Sequence, residues 1–174
     1  PFAARAQALA FLGAYGDHPR LSSLFATQHR WLMAHVGLAL HFGRDLSDDR
    51  SGLTASRFVE LVTRHKVASR NTADAFLKEL LQYDFAALVP HDKDRRVRRL
   101  EPTAPSIAAL HGWLLAHLAT LDALDDGGRV AKLLANGDAL ARVQQLIAEG
   151  LLTSPAIRDP ERTVSLFTWL NNGG

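Results

Sequence analysis

Between Arg57 and Arg99 the chain carries ten basic side chains against six carboxylates, while the rest of its 174 residues carry ten against twelve. The densest stretch is His91-Asp92-Lys93-Asp94-Arg95-Arg96-Val97-Arg98-Arg99-Leu100-Glu101-Pro102-Thr103, with five bases and three acids. Guanidinium groups at this spacing do non-covalent chemistry. Their planar forks make charge-assisted hydrogen bonds to anionic oxygens. A basic stripe in an otherwise slightly acidic chain is the electrostatic footprint of a polyanionic partner, and a plain solvated face is the alternative.

Other chemistries have less support. Cysteine is absent, which removes disulfides, thiol nucleophiles and zinc-finger ligand sets. His29, His35 and His41 are six residues apart, a spacing that does not bring them to one helix face, and His111 and His117 repeat it. The chain has no HExxH, GxGxxG, P-loop or GxSxG pattern, so neither a metal, a cofactor nor an enzyme activity is expected. No apolar run reaches the roughly 18 residues of a membrane span. No secretory signal is visible, and a chain opening at Pro1 without Met suggests processing or a cut segment, so a cytoplasmic location is the expectation.

The elements that must position the basic residues read as mainly helical. Phe2–Tyr15 is a short helix stopped near Gly16 and Pro19. A longer one runs from about Leu21 to Phe42, with Trp31, Leu32, His35, Val36 and Leu40 on one face. A polar linker follows. Thr54 then caps a third helix, with Leu53 and Phe58 placed as a hydrophobic staple. Ser69 caps a fourth, Arg70 to Tyr83, whose inner stripe is Ala73, Phe76, Leu77, Leu80 and Leu81. The turn between them, His65-Lys66-Val67-Ala68, is short, and Val67 can plug the gap. Phe85–Pro90 and Arg96–Glu101 read as a half-exposed hairpin around a polar tip. Helices follow over about Ser106–Leu124, Arg129–Ala135 and Asp138–Glu149.

On Ser69-Arg70-Asn71-Thr72, Leu77-Lys78-Glu79-Leu80 and the run Asp92 to Thr103, the segment Leu53–Thr103 resembles the winged helix–turn–helix of the MarR family of bacterial transcription regulators. The resemblance implies a sequence-specific DNA-binding regulator acting on double-stranded DNA as a homodimer built by the long flanking helices. Arg70, Asn71, Thr72 and Lys78 would face the major groove. Arg95 or Arg96, oriented by Asp94, would enter the minor groove, whose potential is more negative. Arg98 and Arg99 would mostly neutralise phosphates. A small-molecule effector could sit near Trp31, His35 and Trp113, although plain core packing explains the same aromatics. Two departures stand out: Asp74 on the outward face, and Tyr83-Asp84-Phe85, which lacks the glycine usual before the wing. The alternatives are a winged-helix protein-interaction module, and a ligand-sensing regulator without strong DNA binding.

One internal echo bears on domain organisation. His29-Arg30-Trp31-Leu32-Met33-Ala34-His35-Val36 recurs as His111-Gly112-Trp113-Leu114-Leu115-Ala116-His117-Leu118. The wing finds a fainter copy in Arg158 to Phe167. The expected division is therefore a DNA-binding domain over 1–103 and a helical region over 104–174. The latter would be a degenerate second winged-helix unit, pairing with the first as an intrachain pseudo-dimer, or a dimerisation region.

Overall fold

Thr27, Thr54 and Ser69 stand in extended conformation before three helices, and each hydroxyl accepts a first-turn backbone N–H, from Arg30, Arg57 and Thr72 respectively. These caps satisfy donors that helix starts leave orphaned. In the computed structural model, which describes residues 2–17, 27–48, 51–89 and 99–158, the chain is mainly helical. The elements are α1 (Phe2–Asp17), α2 (Gln28–Phe42), α3 (Ala55–Arg64), α4 (Arg70–Gln82), β1 (Ala86–Val89), β2 (Arg99–Pro102), α5 (Ala104–Asp125), α6 (Arg129–Ala135), α7 (Ala139–Thr153) and α8 (Pro155–Arg158).

The chain forms two compact units. One comprises Pro1–Leu24 with Ala104–Leu140, the other Phe25–Thr103 with Ala141–Gly174. This grouping cuts across the expected division at residue 103. In the first unit α1 packs on α5, and the Phe11 ring meets the His117 ring at 5.0 Å between centroids. Leu110, Leu114 and Leu133 are also buried. Asp122, near the end of α5, starts α6: its two carboxylate oxygens accept the backbone N–H groups of Arg129 and Val130, each at 2.9 Å. Those two bonds, Val130 first, hold its carboxyl below the usual carboxylate range. By length and composition alone α5 reaches the range of a membrane span, the only such helix among the described residues.

The second unit has a core of Leu32, Met33, Val36, Phe58, Val62, Val67, Phe76 and Leu100, all at most 2% exposed. Val67 fills the turn between α3 and α4 as expected. That turn closes through His65 N–H to the Leu61 carbonyl and Val67 N–H to the Val62 carbonyl, with Lys66 at φ 53°. Such a left-handed helix end favours glycine, which explains why sequence patterning did not mark it. The same device ends α4, where Asp84 takes φ 59°. Asp84 thus occupies the turn where a glycine was missed, because a short polar side chain tolerates this conformation better than most.

Over the described residues the second half is a long helix, α5, followed by the shorter helices α6, α7 and α8. Leu151–Thr153 belong to α7, and Pro155 begins α8. Residues 146–153, Leu-Ile-Ala-Glu-Gly-Leu-Leu-Thr, contain no left-handed stop, so the helix runs on. The hairpin expected from Arg158 to Phe167 lies, beyond Arg158, outside the described residues.

Candidate nucleic-acid interface

Among the described residues, the exposed candidate DNA-reading side chains stand on α4, which α3 and the turn 65–68 position. α3 buries Phe58, Val59 and Val62; α4 buries Ala73, Phe76 and Leu77. The Phe58 and Phe76 rings stack at 6.3 Å between centroids. With that stripe inside, the opposite face of α4 is outward. Arg70, Asn71, Thr72 and Lys78 are all exposed, and the capped N-terminus carries the first three together. Asp74 is half-buried rather than fully outward.

β1 and β2 pair antiparallel with Ala86 opposite Pro102 and Leu88 opposite Leu100. The hairpin base is tied down on both sides. Thr103 donates its N–H to the Phe85 carbonyl at 3.1 Å and its hydroxyl to the Asp84 carbonyl at 2.8 Å. On the other edge, Leu100 N–H reaches the Leu53 carbonyl at 2.9 Å, and Thr54 bridges Arg99. The residues leading into α3 therefore run alongside β2 as a third extended segment, which sequence reading missed because a single bridge leaves no periodic signature.

Arg99 departs from its expected role. It is 7% exposed at this bridged base, whereas a phosphate contact needs a guanidinium open to solvent. Asp94, Arg95, Arg96 and Arg98 lie outside the described residues. Arg44 braces the same region: its guanidinium reaches Glu101 at 3.4 Å, and its side-chain carbons lie 3.2 Å from where a Cβ on Gly52 would stand. Gly52, at φ 86°, serves both the turn and that close approach.

Trp31 and His35 are core residues of the second unit, 7% and 3% exposed, with ring centroids 3.7 Å apart. Gln144 on α7, itself buried, donates its amide N–H to His35 Nδ1 at 2.6 Å. Burial pushes His35 down to about 3, so the imidazole is neutral and carries its proton on Nε2. Trp113 belongs to the first unit, where its ring meets His117 at 4.3 Å; His117 Nδ1–H donates to the Trp113 carbonyl. The Trp-x-x-x-His echo thus produces the same one-turn ring contact twice, as packing within each unit. No group of three or more metal-ligating side chains occurs among the described residues.

The contacts that the sequence alone does not reveal are long-range. Arg30 on α2 makes a two-pronged ion pair with Glu79 on α4, and its guanidinium lies 5.4 Å from the Phe76 ring centroid. Gln28 donates to the Ile157 carbonyl at 2.5 Å. No spacing rule links residues this far apart in the chain. No family model matches the chain, and no curated protein or solved structure matches it.

Proposed function

We propose that the chain is a DNA-binding transcription regulator in which α3, the turn and α4 form a helix–turn–helix and the hairpin forms its wing. The observation that carries this reading is the face of α4. Asn71 and Lys78, two turns apart, lie on its outward side, with Arg70 and Thr72 exposed on either flank of the capped helix start, while the other side of the helix is locked into the core. A helix so presented fits the major groove, where amide and guanidinium groups read base edges. The hairpin base, fixed to Leu53 and Thr54, starts the wing beside that helix. On the MarR resemblance, Asp94, Arg95, Arg96 and Arg98 supply the minor-groove and phosphate contacts.

Two copies would present two such faces to an inverted-repeat site. α1 and α5 support pairing of copies: Leu9, Leu12, Leu121 and Leu124 are exposed on them, and neither helix is rich in charge. The reading is tested by titrating random duplex DNA across salt concentrations. Affinity should fall steeply with salt, at a logarithmic slope of about 0.9 per neutralised phosphate, and Arg96→Ala should reduce that slope by about one contact. Absence of duplex binding at low salt refutes it.

A further inference from the structure

We infer that Arg30, which lies on α2 rather than on the DNA-facing helix, is a positioning residue that sets the orientation of α4 and neutralises Glu79 within it. The inference rests on the DNA-binding reading above. Arg30 approaches Glu79 with both terminal nitrogens, one to each carboxylate oxygen. The pair is about one-third exposed on each side, so it is partly shielded from solvent. The same guanidinium sits by the ring of Phe76, one turn before Glu79 and 1% exposed. One flat group therefore touches α4 at two points three residues apart. A forked donor gripping a carboxylate and a ring constrains rotation of the helix about its axis, which a single point charge on a flexible stem would not do.

That rotation decides where the outward residues point. Lys78 directly precedes Glu79, and Arg70, Asn71 and Thr72 occupy the same short helix. Without Arg30, the helix that carries the reading residues would also present an uncompensated carboxylate toward a phosphate backbone. α2 is itself anchored from its other contacts, through Gln28 to Ile157 and His35 to Gln144, so Arg30 extends from a held element.

Three proteins test this: the parent, Arg30→Ala, and the charge swap Arg30→Glu with Glu79→Arg, which keeps the net charge of the parent. Two readouts are used. The first, independent of DNA, is amide hydrogen exchange. Arg30→Ala should speed exchange several-fold over the last turns of α4 while α3 stays protected, and the swap should restore protection. Unchanged α4 exchange overturns the inference. The second is the affinity ratio between a duplex enriched by the parent from a random pool and random duplex. Arg30→Ala should lower that ratio about tenfold, the loss of roughly one bidentate base contact. The swap should recover most of it. A parent that enriches nothing and binds no duplex refutes the DNA reading, and the exchange readout then judges the positioning role alone. A parent that binds, with Arg30→Ala keeping the parent's ratio, refutes positioning while the DNA reading stands. If Arg30→Ala fails to fold, Arg30→Lys takes its place, expected to retain the charge and lose part of the ratio; a full parental ratio in it overturns the inference.

Discussion

Acidifying the protein should destabilise it through His35. The imidazole is 3% exposed, packed at a tilt against the Trp31 ring and hydrogen-bonded by Gln144, and burial pushes its pKa down to about 3 from an ordinary 6.5. Between those two values the unfolded chain binds a proton that the folded chain does not. Stability from keeping His35 neutral is therefore fully present above about pH 6.5 and drains away as pH falls toward 3. At about 1.36 kcal/mol per pH unit, the loss between pH 7 and pH 5 is about 2 kcal/mol, rising to about 4 kcal/mol by pH 3, where the folded imidazole itself begins to take up the proton. Such a loss is comparable with the whole stability of many domains. Burial also lowers His41 and His117, which act with the same sign. They are isolated by comparison with His35→Gln, which keeps an amide partner for Gln144 but does not titrate. Urea unfolding at pH 7, 6 and 5 should show the variant losing about 2 kcal/mol less than the parent over that range. Parallel pH dependence in the two proteins, or a His35 NMR titration midpoint near 6.5 in the folded state, refutes the reasoning.

Phe58→Ala should cost about 3–5 kcal/mol in urea unfolding, because the ring is fully buried and stacked on Phe76. Lys66→Gly should raise stability by roughly 0.5–1 kcal/mol, seen as a higher urea midpoint at unchanged slope, since φ 53° suits glycine. Lys78→Ala should weaken duplex binding and lower its salt slope by up to one contact without changing stability by more than about 0.5 kcal/mol, as expected of an exposed side chain. Leu12→Glu with Leu124→Glu should shift sedimentation from dimer to monomer, since both leucines are largely exposed at 69% and 71%; an unchanged sedimentation coefficient would remove α1 and α5 from the proposed pairing surface.

Much of the local structure was legible. Thr54 and Ser69 cap the helices expected of them, and Val67 plugs the turn. α4 begins at Arg70, and the hairpin pairs over Ala86–Val89 and Arg99–Pro102. Each of these depends on residues a few positions apart, where cap chemistry and apolar period act directly. The helix ends at Lys66 and Asp84 were less legible, because neither is glycine. The internal echo coincides with a Trp–His ring contact in each unit, and the second hairpin expected from Arg158 to Phe167 lies, beyond Arg158, outside the described residues.

Residue order by itself determined the capped helices, the exposure of Arg70, Asn71, Thr72 and Lys78 on α4, and the concentration of positive charge before Pro102. Only the tertiary structure decided that Arg99 is buried, that His35 meets Gln144, that Arg30 holds Glu79, and that α1 packs on α5. The physical reason is range. Caps and helical faces follow from interactions within one or two turns, whereas burial and long-range ion pairs depend on which apolar faces pack together, a choice made by the whole chain.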